Sequence, residues 1–354
     1  MPTTAEELYV VLKAFKEQDA NANGDPNDEI PMLGSVSTWS GSPVPFLMSA
    51  FMQYDASGDG RSVQDGKVFF QYTTDAYREG LAFIQRLVTE GLLSPDTWSI
   101  NNTQYRATMN LDETIVGCYS WTSSTFVGTD SNRVNEFKYV SPLKGADGRQ
   151  RICYAWEEFD VANRQSYFFP ASSDKTEIAF RMVDSIFTRE GYLKSHYGME
   201  GRDWCIADDE ARSAMGRQEG EYDVNILNEI WAHTNNVIWN FEQGLMDYDM
   251  ANFWNGDPNY YRYTRYLGIQ EMLSLIPSPD EYVGPILFTD EEMDEISEIR
   301  ASINTYWNEF QALVCLGDKN LESDWDTYMK TLDSMGIQTL LDVTQRAYDR
   351  TYSK

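Results

Sequence analysis

Apolar residues recur at helical spacing in several long stretches, with short strand-like runs between them. Near the start, Leu8, Val11, Leu12 and Phe15 fall at i, i+3, i+4 and i+7, and Thr4 with Glu7 makes a capping box, so a helix begins at once. A second helix is predicted from Thr74 to Glu90, with Tyr77, Leu81, Ile84 and Val88 on its buried face. From Asp174 onward, Ile178, Met182, Val183, Ile186 and Phe187 share a helical register. Three further helices close the chain at about 290–314, 322–334 and 337–352. Thr289 caps the first of these, with Glu292 at the capping-box position. Thr114–Ser120 (TIVGCYS) reads as a buried strand, and Tyr139–Pro142 and Ile152–Trp156 as further short strands. Between the first two helices, residues 19–66 are punctuated by Gly and Pro and read as turn-rich.

Length and charge narrow the class. The 354 residues suit two domains at ~150 residues each. Lys and Arg total 28 against 56 Asp and Glu, for a net charge of -28. That field repels phosphate backbones and anionic lipid, so nucleic acid is not an expected partner. An aromatic content of 14% argues for a folded chain over acidic disorder. No apolar run approaches the ~18 residues of a membrane span. With only His196 and His233, a histidine-rich metal centre is out of reach. Cys118, Cys153, Cys205 and Cys315 form no C-x-x-C pair and are expected as buried free thiols. The acidic run Asp290-Glu291-Glu292, continued by Asp294 and Glu295, is expected as a solvated helix start, where carboxylates complement the dipole.

The strongest local signal runs from Asp19 to Glu29 (DANANGDPNDE). Side-chain oxygens at Asp19, Asn21 and Asn23 alternate as in a calcium loop, and Gly24 permits the sharp turn. Ile30 stands where an EF-hand carries its bidentate Glu, so Asp28 and Glu29, with Asp25, would complete a variant oxygen set. Hard oxygen ligands favour Ca²⁺ in a structural role.

At this loop the chain resembles the family 1 extracellular solute-binding proteins. The lipoprotein type related to alginate- and oligosaccharide-binding components of ABC importers is the nearest form. The resemblance rests on Thr3–Leu8, Leu12–Lys16, the Asp19-x-Asn21-x-Asn23-Gly24 loop and Asp28-Glu29-Ile30-Pro31. Further matches follow in order at Tyr77–Leu81 with Leu87–Leu93, then Phe187–Tyr192 with Tyr197–Gly201. Asp324–Tyr328, Leu332–Gly336 and Ala347–Arg350 complete them. In this family the loop is a structural calcium site; here it carries one extra residue between Gly24 and Asp28.

The resemblance implies an α/β, periplasmic-binding-protein-like (class II) two-lobe fold with a helix-rich C-terminal half. Residues 1–158 would form mostly the second α/β lobe with the calcium loop, and 159–205 a portion of the first. Residues 206–354 would form a helical region packing on both. It also implies a carbohydrate ligand, ABC permease subunits as partners, a monomer, and an extracellular, lipid-anchored location. No signal peptide or lipobox precedes the first helix, so the chain reads as lacking its N-terminal segment, with the first lobe incomplete.

Sugar rings stack their C–H faces on aromatic side chains while their hydroxyls take polar partners. Trp121 follows the TIVGCYS strand, whose end delivers aromatics to the cleft in similar proteins. Trp39 lies in a Ser/Gly loop, and Trp156 with Glu157 follows the predicted strand near the inter-lobe crossing. Trp254 and Tyr260 bracket an Asn-Gly-Asp-Pro turn. These six are the candidate ligand contacts. A glycoside hydrolase is the competing class, with Glu157 and Glu158 as its most tempting acid pair. Adjacent strand residues point to opposite faces and cannot meet one glycosidic bond, so no catalytic residue is assigned. A carbohydrate-sensing or adhesion module is the third reading.

Overall fold

Thr4 Oγ1 accepts from the Glu7 amide and opens helix α1 (Ala5–Glu17). The Glu7 carboxylate returns to the Thr3 amide at 2.7 Å, one residue earlier than a capping box would place it. The structure is a computed structural model. It describes residues 1–25, 27–38, 41–55, 60–120, 137–153, 169–186, 188, 190–191, 193–194, 198–214, 224–227, 261–278, 281, 283–284 and 286–352. The chain divides into two units, Met1–Trp156 with Glu271–Lys354, and Glu157–Gln270.

In the first unit, Leu8 and Leu12 of α1 are buried in the core cluster. Strand β1 (Ile30–Leu33) leaves the calcium-type loop and pairs in parallel with β4 (Val116–Tyr119), Ile30 opposite Val116 and Leu33 opposite Tyr119. Helix α2 (Val44–Met48) and a hairpin of β2 (Arg61–Gln64) and β3 (Lys67–Phe70) follow. The hairpin turns at Asp65 and Gly66, both at positive φ (52° and 75°), as a two-residue primed turn requires. Helix α3 (Asp75–Thr89) starts at the Thr74 cap, and α4 (Asn102–Met109) at an Asn101–Gln104 capping box.

The closing helices α8 (Asp290–Leu316), α9 (Leu321–Ser334) and α10 (Ile337–Tyr352) pack on α3 and β3. Aromatic faces cement this part of the core. Tyr72 stacks on Trp307 at 3.9 Å and Phe310 on Tyr328 at 4.1 Å between ring centroids. The predicted face of α3 holds at Tyr77, Leu81 and Ile84, but Leu87 is fully buried and Val88 only half-buried.

The second unit holds α5 (Thr176–Ile186), α6 (Asp209–Ala214), most of α7 (Tyr261–Leu273), and an antiparallel pair of β5 (Trp204–Ile206) with β6 (Val224–Ile226). The helix forms in that register, yet Ile178 and Met182 are 67% and 56% exposed, while Val183 is buried. Helical spacing decides which residues share a face, not whether another element covers it.

Three expectations need correction. Tyr139–Pro142 and Ile152–Cys153 form no strand; the Pro142 and Ile152 carbonyls accept from the Gln150 and Gln53 side chains, both at 2.7 Å. The rest of that second run lies outside the described residues. Glu292 is not solvated at its helix start but 8% exposed and paired with Arg350. Of the four free cysteines, only Cys315 is fully buried; Cys118, Cys153 and Cys205 are half-buried. Among the described residues no helix is long and apolar enough to cross a membrane.

Candidate functional site

Helix α1 ends at Gln18, so Asp19 is the first residue of a loop that must return to β1 at Ile30. The loop makes that return by folding short polar side chains onto its own amides. Asp19 accepts from the Asn23 amide through Oδ1 at 3.0 Å and from the Gly24 amide through Oδ2 at 2.8 Å. Asn21 Oδ1 also accepts from the Asn23 amide, at 3.0 Å, and Asn23 Oδ1 accepts from the Asp25 amide at 2.8 Å. Asp25 in turn accepts from the Asn27 amide at 3.0 Å, and Glu29 Oε1 from the Ala20 amide at 2.8 Å. These are the Asx-type bonds that Asn and Asp form in turns.

Two backbone positions set the curvature. Ala22 stands at φ 57° and Gly24 at φ 95°, both in the left-handed region. No atom lies within 4 Å of where a Gly24 side chain would begin, so only the dihedral demands glycine there.

The donors are all hard oxygens. Asp28 Oδ1 and Glu29 Oε2 are buried with no hydrogen-bond partner. Two orphaned carboxylate oxygens in one short loop are costly unless a cation or water meets them. The set fits Ca²⁺ chemically. The described residues include no group of three or more His, Cys, Asp or Glu in metal-holding geometry; Asp19 and Glu29 each accept from a backbone amide of the loop.

A residue outside the loop also reaches it. The Asn23 side-chain amide donates to Asp28 Oδ2 and to Glu113 Oε2, each at 2.8 Å. The Asn21 amide donates to the Thr114 carbonyl at 3.3 Å. Glu113 carried no signal in the sequence, since 90 residues separate it from Asn23.

All six candidate ligand contacts, Trp39, Trp121, Trp156, Glu157, Trp254 and Tyr260, lie outside the described residues. Their neighbours are placed. Ser35 and Ser37 both donate to the Ile100 carbonyl, at 2.7 and 2.9 Å, and anchor the chain leading to Trp39. Ser120, just before Trp121, donates to the Ser42 carbonyl at 3.0 Å. A cavity of about 690 Å³ opens beside β4, walled by Val11 and Phe15 of α1, Met32, Val116, Phe137 and Val140. Its walls are mostly hydrocarbon, which suits an apolar group and offers little to sugar hydroxyls.

No family model matches the chain. The fold is that of the solute-binding proteins, mixed α/β and periplasmic-binding-protein-like. Over its whole length the chain superposes on a human-milk-oligosaccharide-binding, ABC-transporter-associated solute-binding protein from Bifidobacterium longum infantis. That match has a TM-score of 0.72 at 19% identity and covers 71% of the other chain. In sequence it is 23% identical over 99% of its length to the fructooligosaccharide ABC transporter substrate-binding protein FusA of Streptococcus pneumoniae, and it spans 62% of FusA. It is also 28% identical over 59% of its length to lipoprotein LipO of Bacillus subtilis, spanning 41% of that protein. FusA has been solved as an EF-hand mutant in complex with fructo-nystose, and this chain matches that structure with a TM-score of 0.71 at 20% identity over 99% of its length.

Proposed function

We propose that the chain is the carbohydrate-capturing part of an extracellular solute-binding protein that delivers an oligosaccharide to an ABC importer without turning it over. The observation that carries this is the likeness to FusA across 99% of the chain. Permease subunits are the proposed partners, the protein works as a monomer, and a lipid anchor holds it outside the cell, as the similarity to LipO supports. The assignment of 1–158 mostly to the second lobe, 159–205 to the first and 206–354 to a helical region on both is part of the same proposal. Trp39, Trp121, Trp156, Glu157, Trp254 and Tyr260 are its proposed ligand contacts.

The calcium reading belongs here too. Asp19, Asn21, Asn23, Asp25, Asp28 and Glu29 would hold Ca²⁺, and the orphaned oxygens of Asp28 and Glu29 support it. A bound ion would supply no chemistry to a ligand; it would tie the end of α1 to the start of β1. The EF-hand mutant of FusA supports the same assignment.

Isothermal titration of a panel of neutral oligosaccharides, fructooligosaccharides included, tests the main reading. Saturable binding with no released reducing ends is expected. Steady hydrolysis of any bound sugar would overturn it in favour of the glycosidase.

A further inference from the structure

We infer that Glu113 positions the Asn23 amide through an acceptor oxygen, so that calcium affinity depends on a side chain delivered from outside the loop. This rests on the calcium reading above. Both donors of the Asn23 amide face carboxylates, Asp28 Oδ2 and Glu113 Oε2, each at 2.8 Å. Turning the amide over would set its oxygen against two anions, so its orientation is dictated. With the NH₂ group so held, Oδ1 lies on the other side, where it accepts from the Asp25 amide at 2.8 Å. That oxygen is the one Asn23 would offer a cation.

Asp28 carries two demands at once. Its Oδ1 is one of the two buried oxygens without a partner, the one a cation would meet, while its Oδ2 accepts from Asn23. Glu113 shares the holding of the amide from outside the loop.

The delivery of Glu113 is built into the fold. The Ile30 amide donates to the Ile115 carbonyl at 2.8 Å as β1 begins its pairing with β4. The stretch 113–115 therefore runs beside the exit of the loop, and the Asn21 contact to Thr114 holds it there. Glu113 itself is exposed, so the fold does not need its side chain. Partners that orient a ligand in this way typically change metal affinity by ~10–100-fold.

The test is calcium titration calorimetry on the whole chain as wild type, E113A and E113Q, with melting temperatures in calcium and in EDTA. E113A is expected to weaken calcium binding by ~10-fold. E113Q keeps an acceptor oxygen and should stay close to wild type, and all three should melt alike in EDTA. Wild-type calcium binding with an unchanged E113A overturns this inference alone. An equal loss in E113Q assigns the effect to charge and overturns it as well. So does a fall in melting temperature that persists undiminished in EDTA, which marks a purely structural role. No binding by wild type removes the calcium reading itself.

Discussion

Arg350 grips Glu292 with both ends of its guanidinium, Nη1 to Oε1 at 2.8 Å and Nη2 to Oε2 at 2.6 Å. The same carboxylate accepts from the Thr289 amide at 2.9 Å. One side chain thus caps the start of α8 and clamps the end of α10 onto it. Arg350 also donates to the Leu287 carbonyl at 2.7 Å, which binds the approach to α8.

The Arg350 hydrogen bonds hold the Glu292 carboxyl at about 2, well below its ordinary 4.5. A depressed carboxylate stabilises the fold above its unfolded value and loses that effect as pH falls through the folded value. Urea midpoints of wild type and E292Q should therefore differ by a constant amount above pH 4.5. The gap should shrink from there and close near pH 2. A gap independent of pH would mean the carboxylate's charge plays no part.

Two glycines at positive φ separate conformational strain from steric clash. A side chain on Gly60 would meet the rings of Phe70 and Tyr72 at 2.4 and 2.6 Å, whereas one on Gly66 meets nothing within 4 Å. G66A should cost only the dihedral penalty of about 1 kcal/mol. G60A adds overpacking and should cost at least ~2 kcal/mol. Chemical denaturation of both variants checks the order.

Tyr77 and Gln311 test the buried polar contact between α3 and α8. The Tyr77 hydroxyl donates to Gln311 Oε1 at 3.0 Å in the core. Y77F strands that oxygen and should cost about 1–2 kcal/mol, while Y77F/Q311L removes both polar groups and should recover part of the loss. A double variant worse than the sum of its parts would refute the pairing.

The thiols of Cys118, Cys153 and Cys315 should be inert in the native state. Burial pushes Cys118 and Cys153 up to about 11 and raises Cys315 further. At pH 8 these three should resist a disulfide-exchange reagent, and all four cysteines should react on denaturation. Fast native labelling at Cys118 would show that the cavity wall it lines opens readily.

Much of the helical framework is legible from sequence because its signals are local. Thr4, Thr74 and Thr289 each cap the helix they were expected to open, and the apolar spacing marks Leu8, Leu12, Tyr77, Leu81 and Ile84 as core. The turn at Asp19–Glu29 is legible for the same reason, since its Asn, Asp and Gly residues bend the chain within a few positions. Such cues act over one helical turn or one loop, and a linear pattern records them fully.

What only the tertiary structure decided lies in contacts between distant segments. Parallel pairing of β1 with β4, the Glu292–Arg350 clamp and the reach of Glu113 to Asn23 all join such segments. Apolar spacing marks the register of α5 but not whether its apolar residues are covered, and Ile178 and Met182 are exposed, for burial depends on what lies opposite. Strand pairing and ion pairing are properties of two segments at once, and a hydrophobic pattern describes only one.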